Sequence, residues 1–472
     1  MVSDLNLMIL NDAEQENMGI REMQRNLVVM VVLAFVLAAP LKAEDWAQWR
    51  GMDRLGIWTE SGIVESFPDD GLRVKWRAPV RSGFSGPSVS DGRVFLLDWQ
   101  EDPLSRTMDG TERIVVFDEQ TGELLWAHEW ETTYRMLMAS YAVGPRSTPT
   151  VDGDRVYAVG STGRLFCLDV ETGDVIWAKD YIEEYDTSIP TWGIASSPLV
   201  DGDKLITVVG GEPDALVVAF DKQSGEELWR AVEVVGEMGY GQPVIYEAGG
   251  VRQLIVWHAA ALVSLNPETG EVYWEQEWEV GAGMSVTTPV KSGDYLLVSQ
   301  FYNGSMMMRL NQDRPAATML WKGNSRSEMP NETQGLHSLI TTPLIIDDYI
   351  YGVGSYGELR GLDAKTGERL WMSEQMTAQA RWGAAFLVKH GDRYFVNNDE
   401  GFLMIAQFTP GGYVELDRTK LIEPNGSAGI GAGPEKRFDR AINWSHPAYA
   451  NQHILHRNNE ELIRVSLAAA DY

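Results

Sequence analysis

One nine-residue pattern recurs five times along this chain: an Asp or Asn, then Thr-Gly or Ser-Gly, then a Trp four residues after the Gly. The copies are VFDEQTGELLW ending at Trp126, CLDVETGDVIW at Trp177, AFDKQSGEELW at Trp229, SLNPETGEVYW at Trp274 and GLDAKTGERLW at Trp371. Self-similarity at a period of about fifty residues matches one propeller blade, and it overrides the several-domain prior that length alone would give. Turn chemistry accounts for the spacing. An apolar strand ends at the Asp or Asn, whose side chain caps the turn, and the Gly supplies the positive φ that closes the hairpin. The returning strand then carries an indole large enough to fill the wedge between neighbouring sheets.

A second element lies upstream of each turn: SGPSVSDGRVFLL, STPTVDGDRVYAV, SSPLVDGDKLITV, TTPVKSGDYLLVS and TTPLIIDDYIYGV. Each alternates apolar residues around an acidic turn, the pattern of two paired strands. Weaker copies are GQPVIYEAGGVRQLIV, the unit ending at Trp321, and AAFLVKHGDRYFV, where Leu416 takes the place of the Trp. Seven units therefore run from Gly86 to about Pro424. The last unit, SHPAYANQHILHRNNEELIRVSL, holds only three strands, and LRVKWRAPV with Trp76 supplies the fourth from the other end of the chain.

The expected fold is all-β: an eight-bladed β-propeller of four-stranded antiparallel blades over residues 73–468, closed by N- and C-terminal strands sharing one blade. Closure removes exposed sheet edges. Trp76, Trp126, Trp177, Trp229, Trp274, Trp321 and Trp371 are expected to dock between blades. Residues 44–72 form an N-terminal extension and 469–472 a tail.

The N-terminus has the form of an export signal, with Arg25 ahead of the apolar run LVVMVVLAFVLAAP and cleavage expected after Ala43. The acidic stretch before it is unlike a signal, which makes Met23 the expected start. A periplasmic or extracellular monomer without a membrane span follows. With 68 Asp+Glu against 39 Lys+Arg, the field of the protein opposes nucleic acid and anionic membranes. The single cysteine, Cys167, lies in the apolar run LFCLD and excludes an intrachain disulfide. Seven dispersed histidines and acidic pairs placed in turns offer no metal site.

The Asp-x-x-Thr-Gly-x-x-x-Trp repeat resembles the quinoprotein dehydrogenase-like superfamily, which includes pyrroloquinoline-quinone (PQQ) alcohol dehydrogenases and the propeller lipoprotein of the outer-membrane β-barrel assembly machinery. WAQWRGMDRLGIW, EAGGVRQLIVWH, FYNGSMMMRL, RWGAAFLVKHGDRYF and WSHPAYAN are more narrowly similar to exported PQQ-like propellers of planctomycete-type bacteria. The chain departs from the enzymes in lacking a cysteine pair and a Cys-x-x-Cys-His, and from the lipoprotein in lacking a lipobox cysteine.

Propeller geometry divides the possible sites between two faces. The Thr-Gly face is monotonous. The opposite face gathers the connections between blades, carrying Arg81, Tyr141, Arg146, Trp192, Tyr240, Met284, His337, Arg381, Trp382, Trp444 and His446. Its hairpins add His258, Asn303, Tyr356 and Asn398. Aromatics with Arg, His and Asn around a concave mouth can hold a ligand, although packing and local ion pairs explain each residue singly. Two functions follow: a non-catalytic scaffold binding a protein, peptide or glycan at the channel mouth, or an oxidoreductase using PQQ with Ca²⁺ there. The enzyme needs a carboxylate and amide cage that the sequence does not display.

Overall fold

The Thr-Gly turns show how local chemistry builds each blade. Asp221 Oδ1 accepts the backbone N–H groups of Gln223 at 3.0 Å and Ser224 at 2.8 Å, and Gly225 follows at φ +73°. Asp118, Asp169 and Asp363 make the same pair of bonds in their own turns. The computed structural model describes residues 44–138, 143–325, 327–427 and 440–472. The expected signal segment, the cleavage point at Ala43 and Tyr141 lie outside them.

Among the described residues the strands form eight four-stranded antiparallel sheets, the blades of a propeller. In chain order the first seven span residues 88–133, 150–180, 199–231, 244–277, 290–322, 344–373 and 385–420. The eighth joins Ala448–Ala450, His453–Arg457 and Glu461–Ser466 to Val74–Pro79 from the other end of the chain, with Trp76 opposite Arg464 and Ala78 opposite Leu462. Most blades begin with a strand of only three residues, and these short strands meet their counterparts in neighbouring blades, which places them around the axis. Outer strands such as Leu124–Thr133 are largely exposed.

The blades interlock through the tryptophans. Trp76, Trp126, Trp177, Trp321 and Trp371 donate Nε1–H to Glu119, Val170, Lys222, Ala364 and Thr409 carbonyls of the following blade, at 2.8–3.2 Å. Each of Gly122, Gly173, Gly225, Gly270 and Gly367 lies beneath the indole of the preceding blade, where a Cβ would stand 2.5–2.8 Å from the ring. Trp274 departs from this arrangement, bonding Gln253 Oε1 of its own blade at 2.9 Å.

The expectation for Leu416 is corrected. Every outer strand carries a bulge just before the docking position: Trp177 pairs with Cys167 and Val175 with Leu168, leaving Ile176 unpaired. In the seventh blade Asp417 pairs with Ile405 and Glu415 with Ala406, so Leu416 is the bulged, exposed residue. Asp417 occupies the Trp position instead.

Residues 45–67 do not stand apart from the ring. Trp46 pairs with Val89 of the first blade's inner strand, and Ala47 O accepts from Val151 of the second. Arg54 donates to Ser197 O at 3.1 Å, Pro243 O at 3.0 Å and Pro198 O, while Trp49 Nε1 reaches Thr288 Oγ1 at 3.1 Å. Ile57 pairs with Lys389 of the seventh blade. The physical reason is the inner strand edge, whose N–H and C=O groups have no further strand to pair with. This plug supplies partners for part of that edge. It leaves along the seam between the seventh and eighth blades, burying Trp58, Ile63, Val64 and Phe67 in the core there.

Candidate functional site

The connections between blades and the inner hairpins converge on the face opposite the Thr-Gly turns, and three groups of the expected site residues meet there. The largest surrounds Arg381, whose Nη2 pairs with Glu328 Oε2 at 2.6 Å. Its guanidinium stacks over Trp382 at 4.5 Å and Phe301 at 5.5 Å. Tyr356 OH donates to the other Glu328 oxygen at 2.9 Å, and His337 Nδ1 lies 2.9 Å from Phe301 O. Trp382 holds φ +62°, a conformation bulky residues seldom adopt. In the second group, Trp192 packs edge-on against Tyr240 at 5.7 Å, and Glu237 accepts from both Thr191 and Tyr240. Trp192 and Trp382 rest on one apolar cluster with Met284 and Leu339. The third places half-buried Arg146 over Phe84 at 5.9 Å, with Trp444 on the same ring at 6.1 Å. Burial lowers the Arg146 pKa.

Local partners or burial hold the other expected residues, and His337 with them. Arg81 pairs with Glu129 at 2.9 Å. His258, His337 and His446 are buried, and burial holds their imidazoles down at about 4, 4 and 3, so they are neutral near pH 7. His446 packs at a tilt against Trp49 of the plug, ring centroids 4.6 Å apart. Asn398 Nδ2 donates to Met376 O at 3.0 Å inside its own hairpin.

Sequence reasoning missed Glu328, Glu237 and Phe84, which reach these groups from loops with no motif. It also missed the channel residues Trp49, Arg50 and Arg54. Their signal was present in WAQWRGMDRLGIW, whose Trp and Arg content is unusual for a solvated extension.

Among the described residues no three His, Cys, Asp or Glu side chains gather as metal ligands. The plug brings Arg50 and Arg54, rather than carboxylates, into the channel. Cys167 is buried in a strand. Among the described residues no helix is long and apolar enough to cross a membrane.

Comparison with known proteins agrees with the repeat. The outer membrane protein assembly factor BamB of Yersinia pestis is 26% identical over 291 residues, covering 60% of this chain and 68% of that protein. The quinohemoprotein alcohol dehydrogenase ADH IIB of Pseudomonas putida is 29% identical over 146 residues, only 30% of this chain and 21% of the enzyme. The crystal structure of the Comamonas testosteroni quinohemoprotein alcohol dehydrogenase superposes with a TM-score of 0.60 at 13% identity, covering 92% of this chain and 82% of that one, a likeness of fold alone. The PQQ-repeat family model described as outer membrane protein assembly factor BamB matches residues 63–212 and 110–373, more than half of the sequence, and the chain belongs to that family.

Proposed function

We propose that this chain is an exported, non-catalytic binding scaffold of the assembly-factor type, holding a protein segment at the loop-side mouth near Trp192, Arg381 and Trp382. The plug inside the channel carries this reading. An oxidoreductase would need a quinone and a calcium ion in the axial mouth, yet the plug occupies the channel, where Trp49 packs against His446 with ring centroids 4.6 Å apart. The extent of similarity points the same way, since the assembly-factor relative aligns over twice the span of the dehydrogenase. The three aromatic groups offer what a peptide needs: partly exposed rings beside a charge pair that can exchange partners.

Photo-crosslinking tests this directly. A benzoylphenylalanine placed at Trp192 or Trp382 of the exported protein is expected to give one discrete protein adduct, and the same probe at Glu171 on the turn face none. Equal adducts from both faces would sink the proposal. So would stoichiometric uptake of Ca²⁺ together with PQQ, dependent on both, when purified protein is titrated with the pair.

A further inference from the structure

We propose that the turn-side end of the channel holds a second site, for a small organic anion bearing a phosphate or carboxylate. A cavity of about 270 Å³ opens there between the plug and the inner strands of the fourth to seventh blades. Arg50, Arg54, Lys291 and Lys389 line it, with Asp347 as the one carboxylate. Against a formal net charge of −29, four cations around one small space need an explanation.

Local ion pairs do not supply it, because among the described residues none of these four cations has a carboxylate within 4.0 Å, whereas Lys222, Lys365 and Arg252 on the same face are all paired. Arg54 is consumed structurally by backbone carbonyls and Gln48. Arg50 is different. Only 4% of it is exposed, its Nη2 donates to Leu55 O at 3.0 Å, and among the described residues its buried Nε has no partner. Burying a cation with an unanswered donor is costly unless a ligand completes it.

The guanidinium is held where a ligand could meet it. It lies over Gly56 at φ +67°, close enough that a Cβ there would stand 2.6 Å from Nη2. Burial without a counter-charge lowers the Arg50 pKa to about 10, which an arriving anion would reverse. Tyr246 and Tyr394 form part of the walls, with Leu344 and Ile346, so the space suits a ligand with an apolar body. An Arg with two Lys groups nearby is a donor set for phosphate or carboxylate oxygens. This inference stands apart from the loop-face reading, because it uses the opposite end of the ring.

Calorimetry of the full chain at low salt, with phenyl phosphate, inorganic phosphate and phenol as probes, separates the contributions. Phenyl phosphate is expected to bind one-to-one, inorganic phosphate more weakly and phenol not at all. The double variant Lys291→Gln/Lys389→Gln, whose side chains make no structural ion pair, is expected to lose at least tenfold in phenyl phosphate affinity with an unchanged melt. Arg50→Lys keeps the charge, removes the unanswered Nε–H and is expected to bind more weakly than the native chain. Absence of binding by all three probes overturns the proposal, as does equal affinity in the native and double-variant proteins. Phenol binding as tightly as phenyl phosphate would likewise show an apolar cavity without anion recognition.

Discussion

Asp417 stands where seven other outer strands carry a tryptophan, and its Oδ2 accepts the backbone N–H of Phe67 at 2.6 Å. One seam of the ring is thus sealed by the N-terminal segment in place of an indole. Asp417→Ala is expected to cost about 1.5–3 kcal/mol, the range for a lost hydrogen bond to a charged acceptor that leaves its donor unanswered. Leu416→Ala, at the exposed bulge, should stay within about 0.5 kcal/mol. Urea melts of the two variants check the pair, and the reverse order would show that Leu416 is docked after all.

Ring closure rests on a buried ion pair. Arg464 of the eighth blade meets Glu119 of the first at 2.8 Å, with side chains 4% and 1% exposed, and Asn451 donates to the second Glu119 oxygen at 2.8 Å. Arg464→Met should destabilise by about 3–5 kcal/mol, because Glu119 would be left charged and buried. Adding Glu119→Gln should recover part of that loss, which a double-mutant cycle in urea measures. Removing all residues after Asn443 takes away the partners of Val74–Pro79 and should abolish the cooperative melt.

Between blades, the contact of Trp177 with Gly225 can be tested from either side. Trp177→Ala should cost about 3–5 kcal/mol as a buried aromatic. Gly225→Ala should cost at least about 1 kcal/mol, since φ is +73° and the new Cβ would lie 2.7 Å from the indole. If both melts shift by less than that, the indole is not held between the blades.

Stability should fall on acidification. His258, His337, His446 and His456 are buried and their folded pKa values are lowered from 6.5 to about 4, 4, 3 and 4. Below pH 6.5 the unfolded chain therefore binds more protons, and stability is lost as pH drops towards 4. Glu112, Glu358 and Asp399, raised by burial, act in the opposite direction. With the histidines outnumbering them, the urea-derived stability should drop by more than about 2 kcal/mol between pH 7 and pH 5. A flat profile would mean that the imidazoles are reached by water.

The blade count, the strand order and the shared closing blade were legible in the sequence because turn chemistry is local. An Asp that caps two N–H groups and a Gly at positive φ act within five residues, so they announce a hairpin wherever they occur. Leu416 was misplaced for the same reason. Without a Thr-Gly turn to count from, only the paired register shows that a bulge moves the docking position to Asp417.

The plug and the grouping of loop residues were decided by tertiary structure. Trp49 finds Thr288 across 239 residues, and Arg54 finds Pro243 across 189. No periodicity encodes such pairings, because the partners become neighbours only after the ring closes and leaves inner strand edges facing a channel. Arg381 was legible as a charge beside an indole, but its partner Glu328 comes from a separate loop brought near by the same closure. Sequence thus determined the repeating unit, whose interactions span a few residues. The closed ring determined what fills its axis, since that depends on unpaired backbone groups that no single blade possesses.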